Sequence, residues 1–504
     1  MELTAGTLMA TLPPRHDHLQ VNFCKTVGCE NFACSDEERY VIQYLNPQRP
    51  AIVCKKCGAF PPLLSNQLIH DEWRRLRKHE SDGLPACRNI ECKNLGLSIY
   101  HHKHLYHAFG YSGERQRYRC KACQSTFVDK WSGENKKLDI QEQLLALLFT
   151  GYSVQEICSK LGINPKTFYD HINQIASRCR KKQALFDMRW FGQVEQYQLA
   201  THHQALQPQS HNGVQWLVTA EPQSGYVVSQ HVSYDEADVS ASQDFDSHIS
   251  EPFTPNRYVE SSFLADIGKS SQHDNLTLRE RIDAKYQNIL ARNNVEDPLG
   301  NYHQLHHPKK GRLVFPPYTS YAHFYNLKLQ CDPKKPLIMY LTQEPLLRSA
   351  VISIYQDRIN DHSMHLLYVD EPYLWNKHQS HGKIDIVHMG WWQDRWAISS
   401  QTHRDSNQDI EKGICYIAGP TSDPDYWLSH ASINAVHKYQ AKFQAHFASF
   451  INEPRRKARP AGIIPLLDIF RAWNNLCSQN KQGQTPAMKQ GLIHHPLSLR
   501  QLLA

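Results

Sequence analysis

Eight cysteines carry the clearest chemistry in this chain, and they form one phrase written twice. Cys24 and Cys29 enclose four residues, and Cys54 and Cys57 enclose two. Cys87 with Cys92, and Cys120 with Cys123, repeat both spacings. The copies lie 63 residues apart at the first pair and 66 at the second. In each, a short polar stretch containing Asn follows the first pair ("CENF", "CKNL"). A thiolate is a metal ligand. Two short thiolate loops closed on each other by a hairpin set four sulfurs at tetrahedral corners, the arrangement zinc favours in structural sites. The repeat therefore predicts two structural zinc ions, one on Cys24, Cys29, Cys54 and Cys57, the other on Cys87, Cys92, Cys120 and Cys123. Cys34 aligns with Leu97 of the second copy and reads as a spare thiol or core residue. "HHKHLYH" at 101–107 decorates a hairpin, since four cysteines already satisfy the nearby ion.

The intervening segments must bring the pairs together, and they read as strands. "RYVIQYL" leads to "AIVCKKC", and "RQRYRCKAC" runs straight into the second knuckle. This is zinc-ribbon logic, with one ribbon at 18–65 and another at 83–130. Units this small have little core, so the metal supplies folding energy of order 10 kcal/mol. Between them, "NQLIHDEWRRLRKHE" reads as a short basic helix and "SDGLP" as a linker.

Residues 136–185 read as three helices. Leu138 to Thr150 is apolar at helical spacing, and Gly151 ends it. Ser153 caps a second helix, with Glu156 completing a capping box. Gly162 breaks that helix. Asn164 caps a third, with Pro165 at its first position, where a missing N–H costs nothing. Phe168, Ile172 and Ile175 face inward, leaving Lys166, Thr167, Tyr169, Asp170 and Asn173 outward. This is a helix-turn-helix whose last helix is the one that enters a major groove. Arg178, Arg180, Lys181 and Lys182, at its far end, are the expected phosphate contacts. The alternative is a small helical bundle that touches no DNA.

Charge points the same way. Residues 1–185 hold 26 Lys and Arg against 18 Asp and Glu, while the remainder holds 30 against 31. The excess positive charge thus lies with the cysteines, as an electrostatic footprint for a polyanion such as duplex DNA. No run of about 18 apolar residues suggests a membrane span. The first residues lack a secretory pattern, so a reducing cytoplasm is expected, where paired cysteines mean metal rather than disulfides.

Residues 87–182, from "CRNIEC" through "RQRYRCKACQSTFVDK" to "LLFTGYSVQEICSKLGINPKTFYDHI", resemble the zinc-ribbon and helix-turn-helix head of bacterial insertion-sequence transposases. The likeness is strongest to the insertion-sequence-one type. Near the end, "LLDIFRAWNNLCSQNKQGQTPAMKQGL" resembles the tail of many such enzymes. The resemblance implies a bacterial protein, nucleoid-associated when bound to DNA, whose head binds DNA. It also implies a ribonuclease H-like domain that transfers strands with an Asp-Asp-Glu triad on Mg²⁺ or Mn²⁺. The expected architecture is multidomain α+β: two ribbons, the helix-turn-helix, and a ribonuclease H-like α/β domain over 190–480. That domain carries an insertion at about 235–330, and a tail at 481–504 follows it.

The triad is where this chain departs. The opening strand offers only Glu195, the fourth offers Gln343 with Glu344 beside it, and the helical Asn-x-x-Glu setting reads Asn434 and His437. Asp370 is the best remaining acid. The expectation is therefore a zinc-dependent, duplex-DNA-binding protein of transposase descent, a regulator or scaffold without strand transfer. Two alternatives stay open. One is an active transposase using Glu195, Glu344 and Asp370, and the other is a ribbon module for protein partners. A homo-oligomer is compatible with each.

Overall fold

The computed structural model describes residues 12–43, 51–82, 84–89, 92–129, 137–210, 212–236, 254–259, 276–292, 294–298, 308, 310–372, 375, 378–390, 393–402, 409–419, 423–451 and 460–504. In the first cysteine phrase, β1 (Tyr40–Gln43) pairs antiparallel with β2 (Ala51–Cys54), setting Tyr40 opposite Cys54. In the second, β3 (Tyr106–Ser112), β4 (Arg115–Cys120) and β5 (Thr126–Val128) form an antiparallel sheet with Tyr106 opposite Cys120. Each phrase has a small apolar cluster of its own.

The segment between them is α1 (Asn66–Glu80), capped by Ser65, whose side chain accepts from the Leu68 N–H. It is more than a spacer, because Leu68, Ile69, Trp73 and Leu76 bury one face against the main body.

Three helices follow, the second and third as their caps dictate. They are α2 (Leu138–Phe149), α3 (Val154–Leu161) and α4 (Pro165–Gln193). Ser153 and Glu156 make the reciprocal capping box, and Gly162 takes the left-handed conformation (φ +64°) that ends α3. Asn164 caps α4, with Pro165 at its start. That helix runs eight residues beyond the expected boundary at 185, because Phe186, Trp190 and Phe191 prolong its buried stripe.

An eight-stranded mixed sheet fills the rest of the chain. The strands β6 (Tyr197–Ala205), β7 (Gln215–Ala220) and β8 (Val227–Val232) form an antiparallel meander. A short pair follows, β9 (Tyr234–Asp235) with β10 (Arg312–Leu313). Next, β11 (Leu337–Leu341) lies parallel to β6, and β12 (Met364–Asp370) lies parallel to β11. Three antiparallel strands, β13 (Asp385–Met389), β14 (Asp394–Thr402) and β15 (Asp409–Ala418), extend the sheet beyond β12. The order across it is β13-β14-β15-β12-β11-β6-β7-β8. Every residue of β7 and β11 is buried, so both faces of the centre are covered.

The expected insertion supplies two helices, α5 (Leu278–Leu290) and α6 (Pro316–Gln330). The prolines of "PPYTS" suggest a loop, but Pro316 and Pro317 open α6, where proline is pre-organised for a helix. This helix packs on β7, β8 and α1. The acidic stretch at 237–253 and the basic run at 453–459 lie outside the described residues. Beyond β11 come α7 (Pro345–Ile354), α8 (Gln356–Asn360), α9 (Pro424–His430), α10 (Asn434–His446), α11 (Ala448–Ile451), α12 (Pro460–Leu476), α13 (Pro486–Lys489) and α14 (Leu499–Leu503). Of these, α10 packs on β6 and β7, α12 along α4, and α14 on α2. One continuous core therefore joins Leu19 and Leu68 to Ile157, the sheet and Leu503.

Candidate metal centres and the carboxylate edge of the sheet

The strand registers bring the two cysteine pairs of each phrase face to face. In the first set, Cys24 Sγ lies 3.5 Å from Cys57 Sγ, and Cys29 Sγ lies 3.9 Å from Cys54 Sγ. In the second, Cys87–Cys123 is 3.5 Å and Cys92–Cys120 is 3.7 Å. Sulfurs about 2.3 Å from a tetrahedral zinc stand about 3.8 Å apart, so both sets fit the ion. All four ligand atoms of each set lie within 4.8 Å of one another. The two tetracysteine clusters are suited to two structural zinc ions. Cys34 belongs to neither set.

The repeat extends beyond the cysteines. Asn31 donates its side-chain N–H to Cys54 Sγ (3.2 Å), and Asn94 donates to Cys120 Sγ (3.3 Å). The backbone N–H of the same Asn reaches Cys29 Sγ at 3.5 Å and Cys92 Sγ at 3.3 Å. Tyr40 and Tyr106 act as clasps. Each hydroxyl accepts from the first cysteine's N–H, Cys24 at 3.0 Å and Cys87 at 3.3 Å. Each also hydrogen-bonds the carbonyl of its Asn and a second carbonyl, that of Cys34 or of Leu97. Cys34 and Leu97 thus share a backbone task. These N–H···S bonds favour thiolates and oppose burial, which on balance still pushes the Cys24, Cys29, Cys87 and Cys92 thiols up. Burial alone would raise the Cys54 thiol, but N–H groups from Cys57, Asn31 and Lys56 bring it down to about 6. Hydrogen bonds from Ser125 bring Cys123 down to about 6 as well.

The third helix of the trihelical unit divides into two halves. Near its start, Lys166, Tyr169 and Asn173 are exposed and Thr167 is half-buried, its N–H held by Asn164 Oδ1 at 2.8 Å. The far half is built into the body, and three of the four expected phosphate contacts are tied internally. Arg178 donates to the Leu503 carbonyl at 3.1 Å. Arg180 pairs with Asp468 at 2.6 Å and Asp82 at 2.8 Å, and buried Lys181 pairs with Asp129 at 2.9 Å. Lys182 is half-buried, and burial lowers its ammonium pKa. The cause is the length of α4, whose distal turns are covered by α12 and α14. The basic helix α1 is likewise wired inward: Arg75 binds Glu72, and Arg77 binds Glu80 and Asn326.

The three candidate carboxylates do not meet. Glu195 is exposed and precedes β6, whereas Glu344 and Asp370 stand at the far ends of β11 and β12, which run parallel to β6. At that far edge β6 presents His202 and His203. His203 Nε2 is 3.6 Å from Glu344. His202 Nδ1 contacts Gln440 Oε1 at 2.7 Å, and its ring packs 4.5 Å from that of His437. Strand register, rather than any acidic motif, puts these histidines there, so a search for carboxylates passes over them.

Cations from the expected insertion engage both remaining acids. Arg292, just past α5, grips Glu344 with two bonds of 2.6 and 2.9 Å. Lys285 and Arg281 of α5 hold Asp370 at 2.6 and 3.2 Å. Burial would raise both carboxyls, but these cations outweigh it and hold both below the ordinary range. Glu371, next to Asp370, pairs with buried Lys412 at 3.3 Å and caps α10 by accepting from the N–H groups of Ile433 and Asn434. Among the described residues no cluster of three carboxylates could share an ion, and no helix is long and apolar enough to cross a membrane. Compared with protein-family models and with curated proteins, the chain matches none.

Proposed function

We propose that this chain is a zinc-dependent, duplex-DNA-binding protein of transposase descent that acts as a regulator or scaffold and does not transfer strands. The observation that carries the DNA reading is an exposed cationic surface on the second ribbon. The hairpin β3–β4 and the turns flanking it expose Lys103, His104, His107, Arg115 and Lys121, with Glu114 as the one acid between them. Tyr111 is 67% exposed near the tip, and the Arg119 guanidinium lies 3.4 Å over the Phe109 ring. Arginine and lysine beside exposed aromatics suit phosphates and base edges, and a two-stranded ribbon fits a major groove. Lys166, Tyr169 and Asn173 of the recognition helix add a second exposed set.

Descent is supported by the sheet. A meander of three antiparallel strands, followed by two strands parallel to its first, in the order β8-β7-β6-β11-β12, agrees with the ribonuclease H-like arrangement that the resemblance implies. The silent-centre reading rests on the ion pairs just described. Two-metal chemistry needs free carboxylates to hold the ions that neutralise the reacting oxygens. Here Arg292, Lys285 and Arg281 take that place against Glu344 and Asp370.

The test uses the full chain on duplex DNA. Binding is expected to weaken steeply as salt rises, because neutralised phosphates release counterions. Arg115→Glu with Lys121→Glu is expected to weaken binding to every sequence. No strand cleavage or joining is expected with Mg²⁺ or Mn²⁺. Salt-independent binding, or none, would refute the DNA reading; cleavage lost in Asp370→Ala would show a live centre.

A further inference from the structure

We propose that His16, Asp17 and His70 form a third metal site, separate from the two tetracysteine sets, that takes a borderline divalent ion such as Zn²⁺. Their ligand atoms all lie within 4.8 Å of one another. The site is made where the N-terminal arm crosses α1. His16 and Leu19 close a tight turn through two backbone bonds of 3.2 and 2.8 Å. Asp17, inside it, adopts φ +49°, a left-handed conformation that Asp tolerates better than most residues.

Asn66, in the first turn of α1, fastens the arm on both sides of that turn. Its side-chain N–H donates to the Pro14 carbonyl at 2.8 Å, and its Oδ1 accepts from the Val21 N–H at 3.0 Å. His70 lies four residues further along α1 and so shares Asn66's face, beneath the turn. Its Nε2 is 3.3 Å from Asp17 Oδ2. The His70 ring packs 4.7 Å from His16 and 5.1 Å from Trp73, which restricts its orientation.

Two imidazoles and one carboxylate select zinc-like ions, whereas magnesium and calcium prefer all-oxygen shells. Asp17 is exposed, so three protein ligands leave a position open to water, unlike the closed cysteine sets. An ion there would staple the arm to α1. The inference is independent of the DNA reading.

Full-length protein with both cysteine sets loaded is stripped of loose metal and titrated with Zn²⁺ by calorimetry. Bound zinc is then counted after gel filtration. One further equivalent is expected in the wild type and in His494→Ala, which alters an exposed histidine near the end of the chain. His16→Ala and His70→Gln are each expected to bind it at least about tenfold more weakly. Asp17→Asn changes an exposed side chain without disturbing folding and is expected to weaken it too. Trypsin offers a second readout: zinc should slow cleavage after Arg15 in the wild type but not in His16→Ala. A wild type that takes up no ion beyond the two, or a third ion held equally by His16→Ala and His70→Gln, would overturn the site.

Discussion

The two ribbons share one metal clasp and put it to different uses. Each has four cysteines, an Asn donating to a sulfur, and a Tyr closing the loop over the first cysteine. The first is anchored to the body. Buried Lys25, next to Cys24, pairs with buried Glu296 at 3.1 Å and donates to the Tyr321 hydroxyl. The second also meets the body, through Leu97 against Trp73, Leu76 and Ala322 and through Asp129 paired with Lys181 at 2.9 Å, but Arg88, next to Cys87, is exposed and the hairpin turns Arg115 to solvent. A metal clasp stabilises a loop without needing a large core. The residues around it are then free to become a dock in one copy and a presented arm in the other.

The largest effect separating them concerns metal. Cys54→Ser and Cys120→Ser should each release one of two zinc ions, measured by elemental analysis. Each removes most of the roughly 10 kcal/mol that a zinc contributes to such a unit. Melting followed through the body should fall further for Cys54→Ser, whose ribbon is anchored by the buried Lys25–Glu296 pair, than for Cys120→Ser. Equal losses would erase the distinction between dock and arm.

Next comes the anchor itself. Lys25→Met leaves Glu296 charged and buried, and breaking such a pair costs about 3–5 kcal/mol. Denaturant unfolding should show that loss with both zinc ions still bound. A change below about 1 kcal/mol would mean that the first ribbon is not anchored there.

Smaller and symmetrical effects are expected at the clasps. Tyr40→Phe and Tyr106→Phe each strand a buried backbone donor and acceptors, at about 1–3 kcal/mol. Chelator-driven zinc loss should accelerate comparably in both variants; acceleration in only one would show that the clasps are not equivalent. The smallest stability effect belongs to the arm. Tyr111→Ala, on an exposed hairpin, should change stability by less than about 0.5 kcal/mol. The same variant should lower DNA affinity in a binding titration, whereas Val41→Ala, an exposed substitution on the first ribbon's hairpin, should not.

Legibility followed the range of the interactions. The cysteine sets, the capping box of Ser153 and Glu156, the Asn164–Pro165 start and the Gly162 stop all depend on residues a few positions apart or on a repeated spacing, and each stands where it was expected. Tyr40 was visible only as part of a strand segment and Tyr106 only as part of the histidine-rich hairpin, because their task depends on hairpin register. The electrostatic surplus of residues 1–185 was legible as a number but not as a surface. Arg75, Arg77, Arg180 and Lys181 have buried or part-buried acidic partners, and of these Asp468 lies 288 residues from Arg180.

By itself, the sequence determined the two tetracysteine sets, the capped helices α3 and α4 and the hairpin strands that carry the cysteines, since metal spacing, capping and apolar periodicity act locally. Only the tertiary structure decided which charges remain outside. Parallel pairing of β6 and β11 carried His203, rather than Glu195, to Glu344. Packing of α5 against β15 brought Lys285 and Arg281 to Asp370, 85 and 89 residues away. Such contacts form because a carboxylate leaving water needs a compensating cation, and the fold, rather than the spacing along the chain, determines which one arrives.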